Sequence, residues 1–250
     1  MDSHPAVVTA FEAPLYVAWE ITHRCNARCL HCYSASGPDA DRSNDLSVDE
    51  GLRLIDQLAD AGVMVLAFSG GEPMLNPHWR TLVGHAKARG LATNIGSNGS
   101  CITERTADEI KVLGVQSVTV SLDSLLAQTH DHFRQCQGLY QRAIRAIQLL
   151  VARGVRVVVG FTPTRLNWQH GPEVVRLACE LGADAVNLSE YVPAGRGGVG
   201  LALTPQTLHQ VLRDWIALRE EYWGRIQIIW HDCRVGMLVA DSEQRKYVGC

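Results

Sequence analysis

Long apolar runs are missing from this 250-residue chain. None approaches the ~20 consecutive residues that a helix needs to cross a bilayer, so no membrane association is expected. Met1 to Pro14 contains no basic stretch leading into an apolar core, which argues against a signal peptide and for a cytoplasmic, reducing location. No block of one charge sign stands out. The 23 Lys and Arg face 26 Asp and Glu for a net charge of −3, so nucleic acid is not an expected partner. Low-complexity segments and Pro- or Ser-rich linkers are also lacking. With 46% hydrophobic and 20% charged residues, the composition excludes collagen-like, coiled-coil and disordered classes. The length suits one large domain, or one domain with a fragment of a second.

Cysteine is plentiful: the chain has eight. In a reducing compartment they are not expected to form disulfides. Three crowd together as Cys25, Cys29 and Cys32, with spacing C-x3-C-x2-C, while Cys101, Cys136, Cys179, Cys233 and Cys250 are dispersed. Three thiolates on one short segment can wrap a metal centre. Zinc would need a fourth ligand, with His23 or His31 as candidates. An iron–sulfur cluster normally takes four thiolates; with three, one iron of a [4Fe–4S] cube keeps an open coordination position.

Around this triplet the hydrophobic pattern alternates between strand-like runs and helical segments. Tyr16 to Thr22 reads as a strand. Ser47 to Ala61 reads as a helix with Val48, Leu52, Ile55 and Leu58 on one face, and Ser47 with Glu50 forms a capping box. Strands follow over 63–69, 91–96, 115–122, 155–161, 185–191 and 226–230. Helices are expected over 77–89, 104–113 behind Thr103, 140–153, 172–181, and from Pro205 behind Thr204 to about Glu221. Six strand–helix units and an extra strand, with strands apolar on both faces, predict an α/β fold built on a parallel sheet covered by helices. Periodicity alone leaves a doubly wound sheet and a barrel both open. Polar, glycine-rich loops follow most strands: His23 to Cys32, Gly70 to Pro73, Ser97 to Ser100, Asp123, Thr162 to Asn167 and Pro193 to Gly198. Functional loops gathered at strand C-termini point to an enzyme.

These residues carry a family resemblance. The C-x3-C-x2-C segment directly after a first strand, with His31 before its last cysteine, resembles the radical S-adenosylmethionine (SAM) superfamily. Ser69-Gly70-Gly71-Glu72-Pro73 matches that family's GGEP motif after the second strand. Ser121-Leu122-Asp123 ends the fourth strand. His130 to Gly138 is similar to the D-x-x-R-G-x-x-G segment, with Arg134 kept and Gln135 where a glycine is common. Pro193-Ala194-Gly195-Arg196 is similar to a P-x-G-R turn. The matches cover residues 16 to 198.

The resemblance implies a partial (β/α)6 TIM-like barrel over residues 15–222, preceded by a segment 1–14 and followed by the start of an extension over 223–250. Cys25, Cys29 and Cys32 would hold three irons of a [4Fe–4S] cluster. The fourth would bind S-adenosylmethionine, whose reductive cleavage yields a 5′-deoxyadenosyl radical that abstracts hydrogen from substrate. Gly70 and Gly71 would let the backbone approach the methionine amino group. Glu72 is either a direct contact to it or a brace behind it. Ser97 and Asn98 would reach ribose or methionine, unless they form only a turn. Ser121 and Asp123 offer a hydroxyl and a carboxylate to a ribose diol, with loop capping as the alternative for Asp123. Thr164 and Arg165 would pair with the methionine carboxylate, unless Arg165 is a surface residue. The His31 backbone and Leu188 would flank adenine, with Leu188 as barrel core the alternative.

Cys233 and Cys250, spaced C-x16-C, resemble the opening of a SPASM or twitch extension, which binds one or two auxiliary Fe–S clusters. Two cysteines cannot complete such a cluster, so the extension reads as truncated. Cys101, Cys136 and Cys179 are expected in packing or loop roles. The segment His130, Asp131, His132 and Arg134 is expected near the open mouth, as a substrate contact or as the solvated start of a helix. Family members of this type modify peptides, so peptide-derived maturation is the favoured function, with a flavodoxin or ferredoxin as reductant and a precursor peptide as partner. Only about 14 residues precede the first strand, leaving no visible peptide-recognition domain there. The alternatives are a tetrapyrrole or sugar-containing antibiotic intermediate and, from another class, a zinc-binding structural or regulatory protein.

Overall fold

The computed structural model describes residues 13–230. Its strands and helices alternate, with two consecutive helices between the fourth and fifth strands. They run β1 (Tyr16–Glu20), α1 (Val48–Asp60), β2 (Val65–Ser69), α2 (Trp79–Ala88), β3 (Ala92–Ser97), α3 (Glu104–Val112) and β4 (Ser117–Ser121). Then follow α4 (Ala127–Arg134), α5 (Leu139–Ala152), β5 (Val157–Phe161), α6 (Gly171–Glu180), β6 (Ala185–Leu188), α7 (Pro205–Glu221) and β7 (Gln227–Trp230). Both halves of the Ser47/Glu50 capping box are present, and Thr103 and Thr204 accept from the backbone N–H groups of Thr106 and Thr207.

All pairings are parallel and the strand order is sequential, β1 to β7. A doubly wound sheet reverses its strand order at a switch point. A sheet that never reverses wraps in one direction, and here its two end strands each pair with a single neighbour. That is the partial barrel expected from the resemblance, with a seventh strand added.

The strands differ from the expectation in one respect that matters for the site. Leu66, Phe68, Ile95, Val118, Val120, Val157, Val159, Phe161, Val186 and Leu188 belong to the main core. The alternate residues, Ser69, Gly96, Thr119 and Ser121, line a cavity instead. Side chains alternate along a strand, so the sheet is apolar towards the helices and small and polar on its concave face. In the run 115–122 the sequence itself alternates, with Ser117, Thr119 and Ser121 between Val118, Val120 and Leu122.

The α4 helix was not legible as such. Its sequence, Ala-Gln-Thr-His-Asp-His-Phe-Arg, has no apolar period, yet His130, Phe133 and Arg134 are all buried. The segment expected at the solvated mouth is thus partly interior. Expected strand 185–191 ends at Leu188; Ser189 still donates its N–H to Phe161 O at 2.9 Å before the chain turns away.

Candidate active site

The cysteine segment leaves β1 and is fastened from three sides. Gly37 O accepts from Cys25 N at 3.0 Å. From below, the end of α4 accepts twice: Arg28 N donates to Arg134 O at 3.2 Å and Leu30 N to Phe133 O at 3.0 Å. The His31 ring stacks on Phe133 with centroids 4.3 Å apart. From above, Arg196 donates Nε to Cys29 O (2.9 Å), Nη1 to Ala35 O (3.2 Å) and Nη2 to Ser36 O (2.7 Å), and its backbone N–H reaches Cys32 O at 2.9 Å. Gly195 makes this docking possible. Its φ is +60°, and a Cβ there would lie 2.0 Å from Tyr33 O. Arg196 is a site residue that the P-x-G-R pattern marked without revealing its task.

Above the concave sheet face, Cys25, Cys29 and Cys32 line one cavity of about 340 Å³. His31, Gly70, Gly71, Ser97, Asn98 and Ser121 share its wall. Arg134, expected as a substrate contact near the mouth, also reaches it, as do Thr119, Thr162 and Ser189, which were not among the expected site residues. Their common signal is position at or near a strand C-terminus, or, for Arg134, the degraded family segment.

Glu72 is fully buried and does not line the cavity. Its carboxylate accepts from Ser97 Oγ at 3.0 Å and from Asn98 N at 2.8 Å. Asn98 in turn points Nδ2 at Cys25 Sγ, 3.7 Å away, and at Asn26 Oδ1 at 2.9 Å. The arrangement makes Glu72 a brace for the β3 end. Burial pushes its carboxyl up to about 7, against the lowering effect of those hydrogen bonds.

The glycines of the GGEP turn line the cavity and also serve a contact within the chain. A Cβ on Gly70, where φ is +135°, would meet Thr22 O at 2.2 Å; one on Gly71 would meet Arg24 O at 2.4 Å and Cys25 Cβ at 2.9 Å. Gly71 N and Glu72 N donate to these same carbonyls at 2.8 and 2.9 Å. The missing side chains admit the cysteine segment itself, and Gly71 needs glycine for space, with no left-handed φ.

Besides Glu72, four expected contacts lie off the cavity. Asp123 is fully buried, and its Oδ2 accepts from Arg134 Nε at 2.6 Å. Burial raises its carboxyl, but Arg134, His31 and His130 outweigh that and hold it below the ordinary range. Thr164 is buried, and its N and Oγ1 donate to Asn167 Oδ1 at 2.7 and 2.8 Å, closing a local turn. Arg165 is exposed and donates to Gly200 O at 3.2 Å. Leu188 packs in the core. Thr164, Arg165 and Leu188 have their polar or apolar needs met away from the cavity, while Asp123 is tied to Arg134 through Oδ2 and keeps a buried Oδ1 without a hydrogen-bond partner.

Cys136 packs beside the cysteine segment and accepts from Arg142 Nη2 at 3.1 Å; Cys179 packs on the main core. Cys233 and Cys250 lie outside the described residues.

Burial pushes Cys25 up to about 11 and raises Cys29 as well. Thiols in this setting become thiolates only beside a strong cationic centre. Three thiols on one loop lining one cavity fit an iron–sulfur group that Cys25, Cys29 and Cys32 would hold. They do not fit the zinc alternative. Among the described residues, no three His, Cys, Asp or Glu side chains converge on a single ion. His23 pairs with Glu20 at 2.9 Å, and His31 is stacked on Phe133.

The chain belongs to the radical SAM superfamily, whose family model matches residues 19–178. Members of this superfamily use a [4Fe–4S] cluster and S-adenosylmethionine. An AdoMet-dependent heme synthase of Methanosarcina barkeri is 30% identical over 89% of this chain and 63% of its own length. The mycofactocin maturase MftC of Mycobacterium tuberculosis is 33% identical over 87% of this chain and 56% of its own. The subgroup expected from the sequence, the SPASM/twitch type, is the one such relatives represent. Streptococcus suis SuiB, solved bound to S-adenosylmethionine, superposes with a TM-score of 0.79 at 17% identity, covering 96% of this chain and 56% of that one; it shares the fold. The chain spans roughly half the length of the curated relatives it matches, from 44% to 63% in those compared. Among the described residues, no helix is long and apolar enough to cross a membrane.

Proposed function

We propose that Cys25, Cys29 and Cys32 hold a [4Fe–4S] cluster facing the cavity, and that S-adenosylmethionine occupies the cavity between the GGEP turn and the β3–β4 ends. The observation that carries this reading is the convergence of three thiols (Cys25 and Cys29 buried, Cys32 half-buried), two glycines and the polar strand ends of Ser97, Asn98 and Ser121 on one cavity. When bound, the cluster supplies the electron that splits the sulfonium, and the 5′-deoxyadenosyl radical so released takes a hydrogen atom from substrate. The chain's own residues bind and orient. Glu72 fixes Ser97 and Asn98, Arg196 and α4 hold the cysteine segment, and the apolar outer face of the sheet keeps water from the core.

The substrate reading rests on volume. A cavity of about 340 Å³ is near the lower bound for one small-molecule ligand. With the cofactor inside, the reacting group enters as a projecting side chain of a larger molecule, past Tyr33, Tyr191 and Val192 at the wall. A peptide meets this requirement, and a maturase among the relatives supports peptide modification. A second reading, a tetrapyrrole presenting its ring substituents, is favoured by relatives named heme synthase. The cysteines 233 and 250 would begin an auxiliary-cluster extension in the longer protein, with a flavodoxin or ferredoxin as reductant.

The test is anaerobic reconstitution with iron and sulfide, followed by reduction with dithionite in the presence of S-adenosylmethionine. Release of 5′-deoxyadenosine that is lost in Cys25→Ala, Cys29→Ala or Cys32→Ala supports the reading; release from the triple alanine variant sinks it. Stimulation of that release by unstructured peptides, or instead by an iron porphyrin, separates the two substrate classes.

A further inference from the structure

Asp123 and Arg134 form an ion pair in the floor of the site, with side chains 0% and 9% exposed. A buried pair in that position carries a large desolvation penalty, and a well-packed apolar pair of similar volume would spare the fold that penalty. Yet the pair is built in with care. The backbone N–H of Asp123 donates to His130 Nδ1 at 3.1 Å, and its carbonyl accepts from Asn167 Nδ2 at 3.3 Å. Oδ2 takes Arg134 Nε at 2.6 Å. That leaves Arg134 Nη1 aimed the other way, 3.9 Å from Cys29 Sγ, with the guanidinium in the cavity wall. Arg134 also accepts from Arg28 N through its carbonyl, so the same residue holds the cysteine segment by backbone and faces its sulfur by side chain.

We infer that Asp123 is a positioning residue that holds the Arg134 guanidinium beside the Cys29 sulfur, and that this pair sets the one-electron reduction potential of the cluster. The inference rests on the cysteine assignment above. A cation near a ligating sulfur stabilises the cluster after it has gained an electron, and so raises its potential; an anion does the reverse. Arg134 lies nearer the sulfur than Asp123 does, because the carboxylate sits on the Nε side of the guanidinium. The cation therefore dominates and the carboxylate offsets part of it.

Charge then fixes an order. Asp123→Asn removes the offsetting anion and has the highest potential. Wild type comes next. The Asp123→Asn/Arg134→Gln double variant lies below wild type, and Arg134→Gln, which leaves the anion alone, is lowest. The experiment is a dithionite titration of the reconstituted protein without S-adenosylmethionine. It follows by electron paramagnetic resonance the signal that is absent in Cys25→Ala. At a fixed solution potential, Arg134→Gln should lower the reduced-to-oxidised ratio about tenfold, equivalent to about 59 mV for one electron.

Where a single variant leaves a buried charge unpaired and fails to fold, the double variant carries the test, because it removes both charges. Its potential must fall below that of wild type. Potentials that move together in all variants, or a double variant unchanged from wild type, overturn the inference while leaving the cysteine assignment standing. A wild-type protein that takes up no cluster overturns both.

Discussion

Replacing Gly71 by Ala adds one methyl group, and the geometry says where it must go. The new Cβ would sit 2.4 Å from Arg24 O, 2.7 Å from Arg24 C and 2.9 Å from Cys25 Cβ. An ordinary contact needs about 3.4 Å or more, so either the turn or the segment holding Cys25 must move by roughly 1 Å. The obstacle is backbone, which cannot rotate away as a side-chain tip can. Relief also stretches the Glu72 N to Arg24 O hydrogen bond, now 2.9 Å. Losing that bond removes about 1 kcal/mol, and overpacking adds ~1–3 kcal/mol. Gly71→Ala should therefore destabilise the protein by about 2–4 kcal/mol. A displacement of that size is several times the ~0.2 Å tolerance of metal–ligand distances, so cluster loading should fall with it. Gly96→Ala is the control: its Cβ meets only Ser69 Oγ at 3.8 Å and intrudes on the cavity alone. Iron per chain after reconstitution, together with the thermal midpoint, distinguishes the two. Gly71→Ala should lose iron and stability; Gly96→Ala should keep both while weakening S-adenosylmethionine binding. Normal iron content in Gly71→Ala would refute the claim that this glycine exists to admit Cys25.

Arg196→Lys leaves at most one of three guanidinium contacts to the cysteine segment, so stability should fall by about 2 kcal/mol and iron loading with it; an unaltered melting curve and iron content would rule this fastening out. Gln135 holds φ at +50° at the end of α4 with Nε2 on His132 O at 2.6 Å. Gln135→Gly should stay within about 1 kcal/mol of wild type and Gln135→Val should lose about 2 kcal/mol by urea denaturation, and equal effects would contradict it. His130 is held down to about 4, chiefly by burial. Its folded value lies below the unfolded one near 6.5, so the unfolded chain takes up the proton first, and stability falls as pH drops from about 6.5 towards 4. Between pH 7.5 and 5.5 this contributes about 1 kcal/mol, which His130→Asn, retaining an acceptor for Asp123 N, should abolish; parallel pH profiles for the two proteins would show that His130 is not the source.

Much of this protein is readable from the chain alone, for a physical reason: local features need only neighbours in sequence. The Ser47/Glu50 box, the Thr103 and Thr204 caps and the Pro205 start are set within one turn of helix, and they stand as expected. The C-x3-C-x2-C spacing and the GGEP turn were equally local, and they carried the family to which the chain belongs. What the sequence could not decide were the directions in which side chains point once strands are placed side by side. Barrel or doubly wound sheet depends on strand order, which no single strand encodes. Asp123, Thr164 and Leu188 sit at or just beyond strand ends, where one residue of register separates the cavity from the interior, and the structure turns them inward. Helix α4 was hidden because its buried face carries one apolar residue, Phe133, beside His130 and Arg134, polar groups that can be buried only with partners outside the helix. Those long-range partners are contributed by tertiary structure. Cys29 and Arg134 are 105 residues apart along the chain, and only the wrapped, open sheet and the docking of α4 bring them to 3.9 Å.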